Sequence, residues 1–124
     1  MTRVYLADAL PDERSAMRLL LLDLMMEVVG EADDLPTTLA YAPTTRLDML
    51  VMSWELIPID LREQTITKLR AACSNAIVVV LISQLDVRQQ AAISAGADAF
   101  ISRGDSAELV SIHLRLAAAR VHPI

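Results

Sequence analysis

The chain is poor in lysine, cysteine and aromatic residues, and each shortage excludes something. Cys73 stands alone, so no internal disulfide and no cysteine-rich metal site can form. That usage fits a reducing, cytoplasmic setting. Aromatic side chains make up 3% of 124 residues against 54% apolar overall, so the core must be built from Leu, Val, Ile, Ala and Met. Eleven basic side chains face sixteen acidic ones, a net charge of −5. Such a balance disfavours direct contact with nucleic acid or an anionic membrane. The N-terminus, Met1 to Asp8, meets a charge too soon for a signal peptide. No apolar stretch is as long as a membrane span. There is no repeat, no low-complexity segment, no Walker loop, no dinucleotide-type glycine fingerprint and no zinc-ligand spacing.

What is present is strict alternation of short apolar runs with longer amphipathic ones, at a length that suits one domain, residues 1–124. Val4 to Ala7 reads as a first strand. Pro11, with Asp12 and Glu13, suits the first turn of a helix. Met17, Leu20, Leu21, Leu24 and Met25 follow at helical spacing. A second strand lies within Glu27 to Ala32, then a weakly marked helix from Asp34 to Ala42 that Pro43 stops. Leu47 to Met52, apolar on both faces, reads as a central parallel strand with Ser53 at its end. Asp60 and Glu63 have capping-box spacing for the next helix. Ala76 to Ile82 is the most β-branched stretch and a fourth strand. A helix is predicted over 86–95 and stopped by Gly96 in a left-handed conformation. Ala99 to Ser102 is a fifth strand, and Asp105 with Glu108 opens a last helix towards Val121. Five β/α pairs in this order predict an open, doubly wound parallel sheet with helices on both faces. Sites in such sheets form at the carboxyl ends of the strands. Those ends carry Asp8, Ser53, Ile82 or Ser83, and Arg103.

These landmarks, in order, resemble the receiver domain of two-component response regulators, in the branch with a C-terminal helix-turn-helix output. They are Leu6-Ala7-Asp8, Pro11 and Arg14, Val28 to Ala32, Asp48 to Ser53, Pro58, Val78 to Leu81, and Ala95 to Phe100. The resemblance spans essentially the whole chain and implies a flavodoxin-like sheet of order 2-1-3-4-5. In that family an acidic pair after the first strand and an acceptor aspartate after the third hold Mg²⁺. Here the pair reads Asp8-Ala9 and the acceptor position is Ser53. Glu55 matches the residue whose carbonyl meets the metal, and Pro58 falls one residue late. The hydroxyl position after the fourth strand matches Ile82 or Ser83, depending on the gap. Arg103 matches the family's lysine, and Phe100 its aromatic switch residue. Lys68, the sole lysine, falls on a predicted helix and replaces nothing.

The substitutions predict a degenerate site with no catalytic residue. Mg²⁺ wants oxygen ligands in octahedral geometry, and two of the three carboxylates are gone. Arg103 carries a fixed charge, expected to pair with Asp8 or Glu55 in the metal's place or else to bind an anion. Metal binding should be weak or absent, and no other cofactor is implied. A serine needs an adjacent base to act as a nucleophile, and neither His113 nor His122 lies near a strand tip. Ser53 is then a neutral filler or the target of a serine kinase. Trp54 is expected to pack on its own domain, Phe100 to hold one rotamer, Cys73 to sit at a helix end, and Asp98 and Arg88 to be solvated charges. The apolar side Leu109, Ile112, Leu116 and Ala119 of the last helix is expected to cover the sheet.

Three functions compete on these grounds. The first is a regulatory interaction or dimerisation module that works without aspartyl phosphorylation. Its partner surface would be the family's common one, made by the fourth predicted helix, the fifth strand and the last helix. The second is the N-terminal regulatory part of a transcription regulator, switched by another ligand or at Ser53, with DNA touched only by a further domain beyond Ile124. The third, an enzyme on the same frame, lacks a nucleophile–base pair.

Overall fold

Five parallel strands form one sheet in the order β2-β1-β3-β4-β5. The strands are β1 (Arg3–Ala7), β2 (Glu27–Ala32), β3 (Met49–Ser53), β4 (Ile77–Ile82) and β5 (Ala99–Ser102). The computed structural model describes residues 1–83 and 96–121. The helix predicted over 86–95, with Arg88, lies outside the described residues, as does His122. Among the described residues the helices are α1 (Pro11–Asp23), α2 (Leu35–Tyr41), α3 (Arg62–Ala72) and the last helix, α4 (Ala107–Val121). None is long and apolar enough to cross a membrane.

The sheet separates two aliphatic layers by the two-residue alternation of its strands. Tyr5, Ala7, Leu50, Met52, Val78, Val80 and Ile82 face one side and meet Trp54, Ile57, Ile66 and Leu69. Val4, Leu6, Met49, Val51, Val79, Leu81 and Ile101 face the other and meet Leu21, Val110, Leu114 and Ala117. The three inner strands are apolar on both faces because both faces are covered.

Several local expectations are corrected by the packing. Strand β3 begins at Met49, not Leu47; Asp48 just before it accepts the backbone N–H of Arg3 on its carboxylate at 2.9 Å. Asp60 does not cap α3. Residues Ile59–Leu61 form a 3-10 turn and α3 starts at Arg62 with no side-chain cap. On α4 the capping oxygen is Ser106 Oγ, which accepts from the Leu109 N–H at 3.2 Å, and not the Asp105 carboxylate. Met25 is not a core residue of α1. It lies past the helix end with φ 63° and is 71% exposed. The Met26 and Met25 N–H groups return to the Leu21 and Leu22 carbonyls, a Schellman ending with methionine in the usual glycine seat. Gly96 does take the left-handed conformation, φ 101°.

Two charged residues tie the strands together. Asp98 is not a solvated charge: its carboxylate accepts from the Val78 N–H at 2.8 Å and pairs with Arg70, while Arg120 donates to its carbonyl at 2.8 Å. At the opposite edge Arg3 reaches Glu27 on β2 and the carbonyls of Thr45 and Arg46.

The largest correction concerns α4. The residues it turns to the sheet are Val110, Leu114 and Ala117, whereas Leu109, Ile112 and Leu116 are 39, 46 and 61% exposed.

Gly30 on β2 lies opposite Tyr5 on β1, and a Cβ there would fall 2.6 Å from the Tyr5 ring. That ring is buried and cannot swing away. Gly30→Ala is predicted to destabilise the domain by about 1–3 kcal/mol through overpacking. Urea unfolding should show the loss, and Tyr5→Val in the same chain should recover part of it.

Candidate functional site

Four loops meet over the carboxyl ends of β1, β3, β4 and β5. Parallel strands deliver their tips to one edge, so residues far apart in sequence are gathered there. Strand β1 ends at Ala7, and the next residue, Asp8, is held by its backbone N–H to the Ala32 carbonyl at 3.0 Å. Its side chain is 1% exposed. One carboxylate oxygen accepts from the Leu10 N–H at 3.1 Å and the other from Arg103 Nη2 at 2.9 Å. Arg14 donates to the Asp8 carbonyl at 2.8 Å. Ala9 is exposed and contributes no ligand.

Arg103 is the first residue past β5. Its backbone N–H donates to the Ile82 carbonyl at 2.9 Å, which fixes where the side chain starts. The guanidinium is 16% exposed and bridges Asp8 to Glu13 in the first turn of α1. Of the two partners the sequence offered, Asp8 is the one that bonds. Glu13 was not anticipated. Its only signal was its place in the turn that follows Asp8.

Ser53 closes β3 and is 4% exposed. Its hydroxyl donates to Glu55 Oε2 at 2.9 Å, and Ser83 donates to Oε1 of the same carboxylate at 2.8 Å. Ile82 is a core residue of β4, so the hydroxyl over the site is that of Ser83. Burial alone would raise the Glu55 pKa. Hydrogen bonds from Ser83, Ser53 and its own backbone, and the Arg103 charge, outweigh it and hold the carboxyl below its ordinary value.

Trp54 is fully buried beside Ser53, with the Arg62 guanidinium 4.6 Å from its ring centroid. Arg62 also donates to the Trp54 carbonyl at 3.3 Å. Phe100 is half-buried on β5 and packs on the same layer as Trp54. Cys73 sits at the end of α3, buried. His113 lies on α4, away from the strand tips.

The site does not fit a divalent metal. Ala9 and Ser53 stand where carboxylates would be needed, and the remaining buried carboxylate is bonded to a guanidinium. Among the described residues no three His, Cys, Asp or Glu side chains converge on a possible metal position. The arrangement instead makes two closed contacts, an Asp8–Arg103–Glu13 ion bridge and a Ser53–Glu55–Ser83 hydroxyl clamp.

No protein-family model matches the sequence, and no curated protein matches it either. Solved structures do. The receiver domain of the putative response regulator NarL from Mycobacterium tuberculosis is 24% identical, with TM-score 0.78, covering 96% of this chain and 98% of that one. The signal receiver domain of a modulated diguanylate cyclase from Desulfovibrio desulfuricans G20 is 20% identical, with TM-score 0.80, covering 98% and 97%. A DNA-binding response regulator of the LuxR family from Staphylococcus aureus is 14% identical, with TM-score 0.81, covering 94% and 98%. At these identities the likeness carries the fold: the sheet of order 2-1-3-4-5 with flanking helices is that of receiver domains.

Removing one partner of a buried ion pair leaves the other charge uncompensated. Arg103→Met is predicted to cost about 3 kcal/mol, the low end of the usual range because the guanidinium is 16% exposed. Asp8→Asn in the same chain should recover most of it in a double-mutant cycle read by chemical unfolding.

A carboxylate with a depressed folded pKa stabilises the fold above its unfolded value, and that contribution fades as pH falls through the folded one. Wild type should therefore exceed Glu55→Gln in stability by a constant margin above about pH 5, the margin shrinking below about pH 4. A pH series of thermal melts on both proteins gives the comparison.

Proposed function

We propose that the chain is a receiver-type regulatory domain whose phosphoryl-transfer centre has been replaced by fixed internal contacts. It acts in the cytoplasm as a protein-interaction module, without aspartyl phosphorylation and without resident Mg²⁺. The observation that carries this reading is the 2.9 Å bond from Arg103 to Asp8. Phosphoryl transfer to a receiver needs a carboxylate nucleophile and a cation that offsets charge on the transferred group. At the strand tips a hydroxyl replaces the first, and a guanidinium already bonded to two carboxylates replaces the second.

Modification of Ser53 is disfavoured by the same geometry. Ser53 is 4% exposed and its hydrogen bond to Glu55 closes the approach. A phosphate there would also lie against the Glu55 carboxylate. An enzymatic role lacks support, because the Glu55 carboxylate that accepts both serine hydroxyls is held below its ordinary pKa and is a poor base for either.

A second reading shares this site and differs in context. The receiver fold recurs in DNA-binding regulators, and the chain would then be the regulatory part of such a protein, with DNA met only by another domain. The net charge of −5 fits a chain that does not itself touch DNA.

Incubation with a small-molecule phosphoryl donor and Mg²⁺ is predicted to leave no hydroxylamine-labile phosphate on the protein. Trp54 fluorescence should not change on adding Mg²⁺ and beryllofluoride. The triple variant Ser53→Asp, Ala9→Asp, Arg103→Lys should gain both responses. A labile phosphate on the unaltered chain would overturn the reading.

A further inference from the structure

Helices α1 and α4 pack on the same face of the sheet, through Leu21 on one and Val110, Leu114 and Ala117 on the other. Between them lies an open cleft of about 640 Å³. Its floor is Leu81 on β4 and Ile101 on β5, both buried. Its walls are Ala16 and Leu20 on α1 and Ala107 and Val110 on α4. Ala16 and Ala107 offer only methyl groups, so the gap between the helices is left unfilled. Small-molecule sites are mostly apolar hollows of about 300–1,000 Å³ with a few polar groups, and this cleft has that size and lining.

The polar groups of the cleft decide the sign of what it takes. Glu13 and Arg103 stand at one end and Asp23 at the other. The guanidinium offers no free charge to an anion, because Asp8 and Glu13 already bond it. Asp23 is in the opposite position. It is exposed and closes α1, whose last turn holds no basic residue. Among the described residues it makes no ion pair. A carboxylate there also meets the negative end of the helix dipole, so a cation beside it gains from both. Glu13 and Asp23 are ten residues apart, about 15 Å along the helix, which sets the length of the cleft.

We propose that this cleft binds a small amphiphilic cation, an ammonium or amidinium group on an apolar body. The body lies on Leu81 and Ile101 between the two helices, and the charge sits beside Asp23. Binding removes apolar surface from water along the cleft, including that of Leu19 at its mouth, which is 63% exposed. An anion of the same shape would lose the Asp23 contact and meet its repulsion instead. The site is distinct from the chemistry of the strand tips, although the Glu13–Arg103 pair forms its inner end.

Calorimetric titration of the full chain with decyltrimethylammonium, kept below the concentration at which it forms micelles, tests the proposal. Decyl sulfate and tetramethylammonium serve as the anion of equal chain and the cation without one. The decyl cation should bind one to one and saturably, at least about tenfold tighter than decyl sulfate, and tetramethylammonium should not bind. Methyl NMR shifts should fall on Met17, Leu20, Ile101 and Val110. Ala16→Phe, at an exposed position, should fill the cleft and weaken binding by at least about tenfold, with the melting temperature within about 3 °C of wild type. Asp23→Lys should reverse the preference towards decyl sulfate. Asp60→Lys, which makes the same change of net charge away from the cleft, should leave the preference as it was. Absence of saturable binding overturns the proposal. So does binding of many cations per chain, binding indifferent to Ala16→Phe, or an equal loss in Asp60→Lys and Asp23→Lys. Light scattering on the same samples covers the other occupant: a mass above the monomer that Ala16→Phe lowers, with no decyl cation bound, gives the cleft to a second copy and overturns the proposal too. No phosphoryl donor or Mg²⁺ is present, so these outcomes are independent of whether the strand tips accept phosphate.

Discussion

The ion pair between Arg103 and Asp8 is the contact on which the site depends. A carboxylate that is 1% exposed must have a counter-charge, or it would be neutralised or cost several kcal/mol. In a receiver-like sheet the tips of β1 and β5 are close enough for a side chain from one to reach the other. Arginine satisfies the demand with a planar, permanently charged group that can bond two carboxylates at once. Once Asp8 and Glu13 share that guanidinium, the start of α1 is pinned to the end of β5. A divalent cation would have to displace a bonded guanidinium and would then find a methyl and a hydroxyl where it needs carboxylates.

The second contact lies beside the first, in the loop after β3, and is organised by Glu55. Its carboxylate collects the hydroxyls of Ser53 and Ser83, which joins the tips of β3 and β4. Trp54 is drawn under the loop and stacked by Arg62, so the segment between β3 and α3 is fixed from below as well. The two clusters together hold four strand tips by hydrogen bonds and charge.

Much of this was legible in the sequence, and the failures are instructive. Strand β4 was plain because Val78, Val79 and Val80 favour a pleated, doubly buried position. Ser53, Asp8 and Arg103 were found because a parallel sheet places strand ends at one edge. The partner Glu13 was not found, since its bond to Arg103 exists only after the first helix and the last strand are neighbours. Asp98 was misread as solvated because nothing local shows that β5 begins at the next residue and that the Asp98 carboxylate is turned onto Val78. The face of α4 was misread for a different reason. Leu109, Ile112 and Leu116 are bulkier than most of Val110, Leu114 and Ala117, and both sets have helical spacing, so size favoured the wrong face. A helix lying close on a sheet needs smaller residues beneath it, and the larger ones are left outside.

The misread face and the closed site have one physical explanation on the proposed reading. A ligand shifts a conformational equilibrium only through a difference in its affinity for the two states. A phosphoryl group at the tip of β3 would supply that difference in an ordinary receiver, by adding charge that hydroxyl and cation must follow. Here the carboxylates are already satisfied by a charge that cannot be added or removed, and the hydroxyls are already bonded to Glu55. With no chemical input at the strand tips, the remaining variable is what contacts the outside of the domain. Leu109, Ile112 and Leu116 belong to that outside, held in water by a helix whose other face is anchored to the sheet.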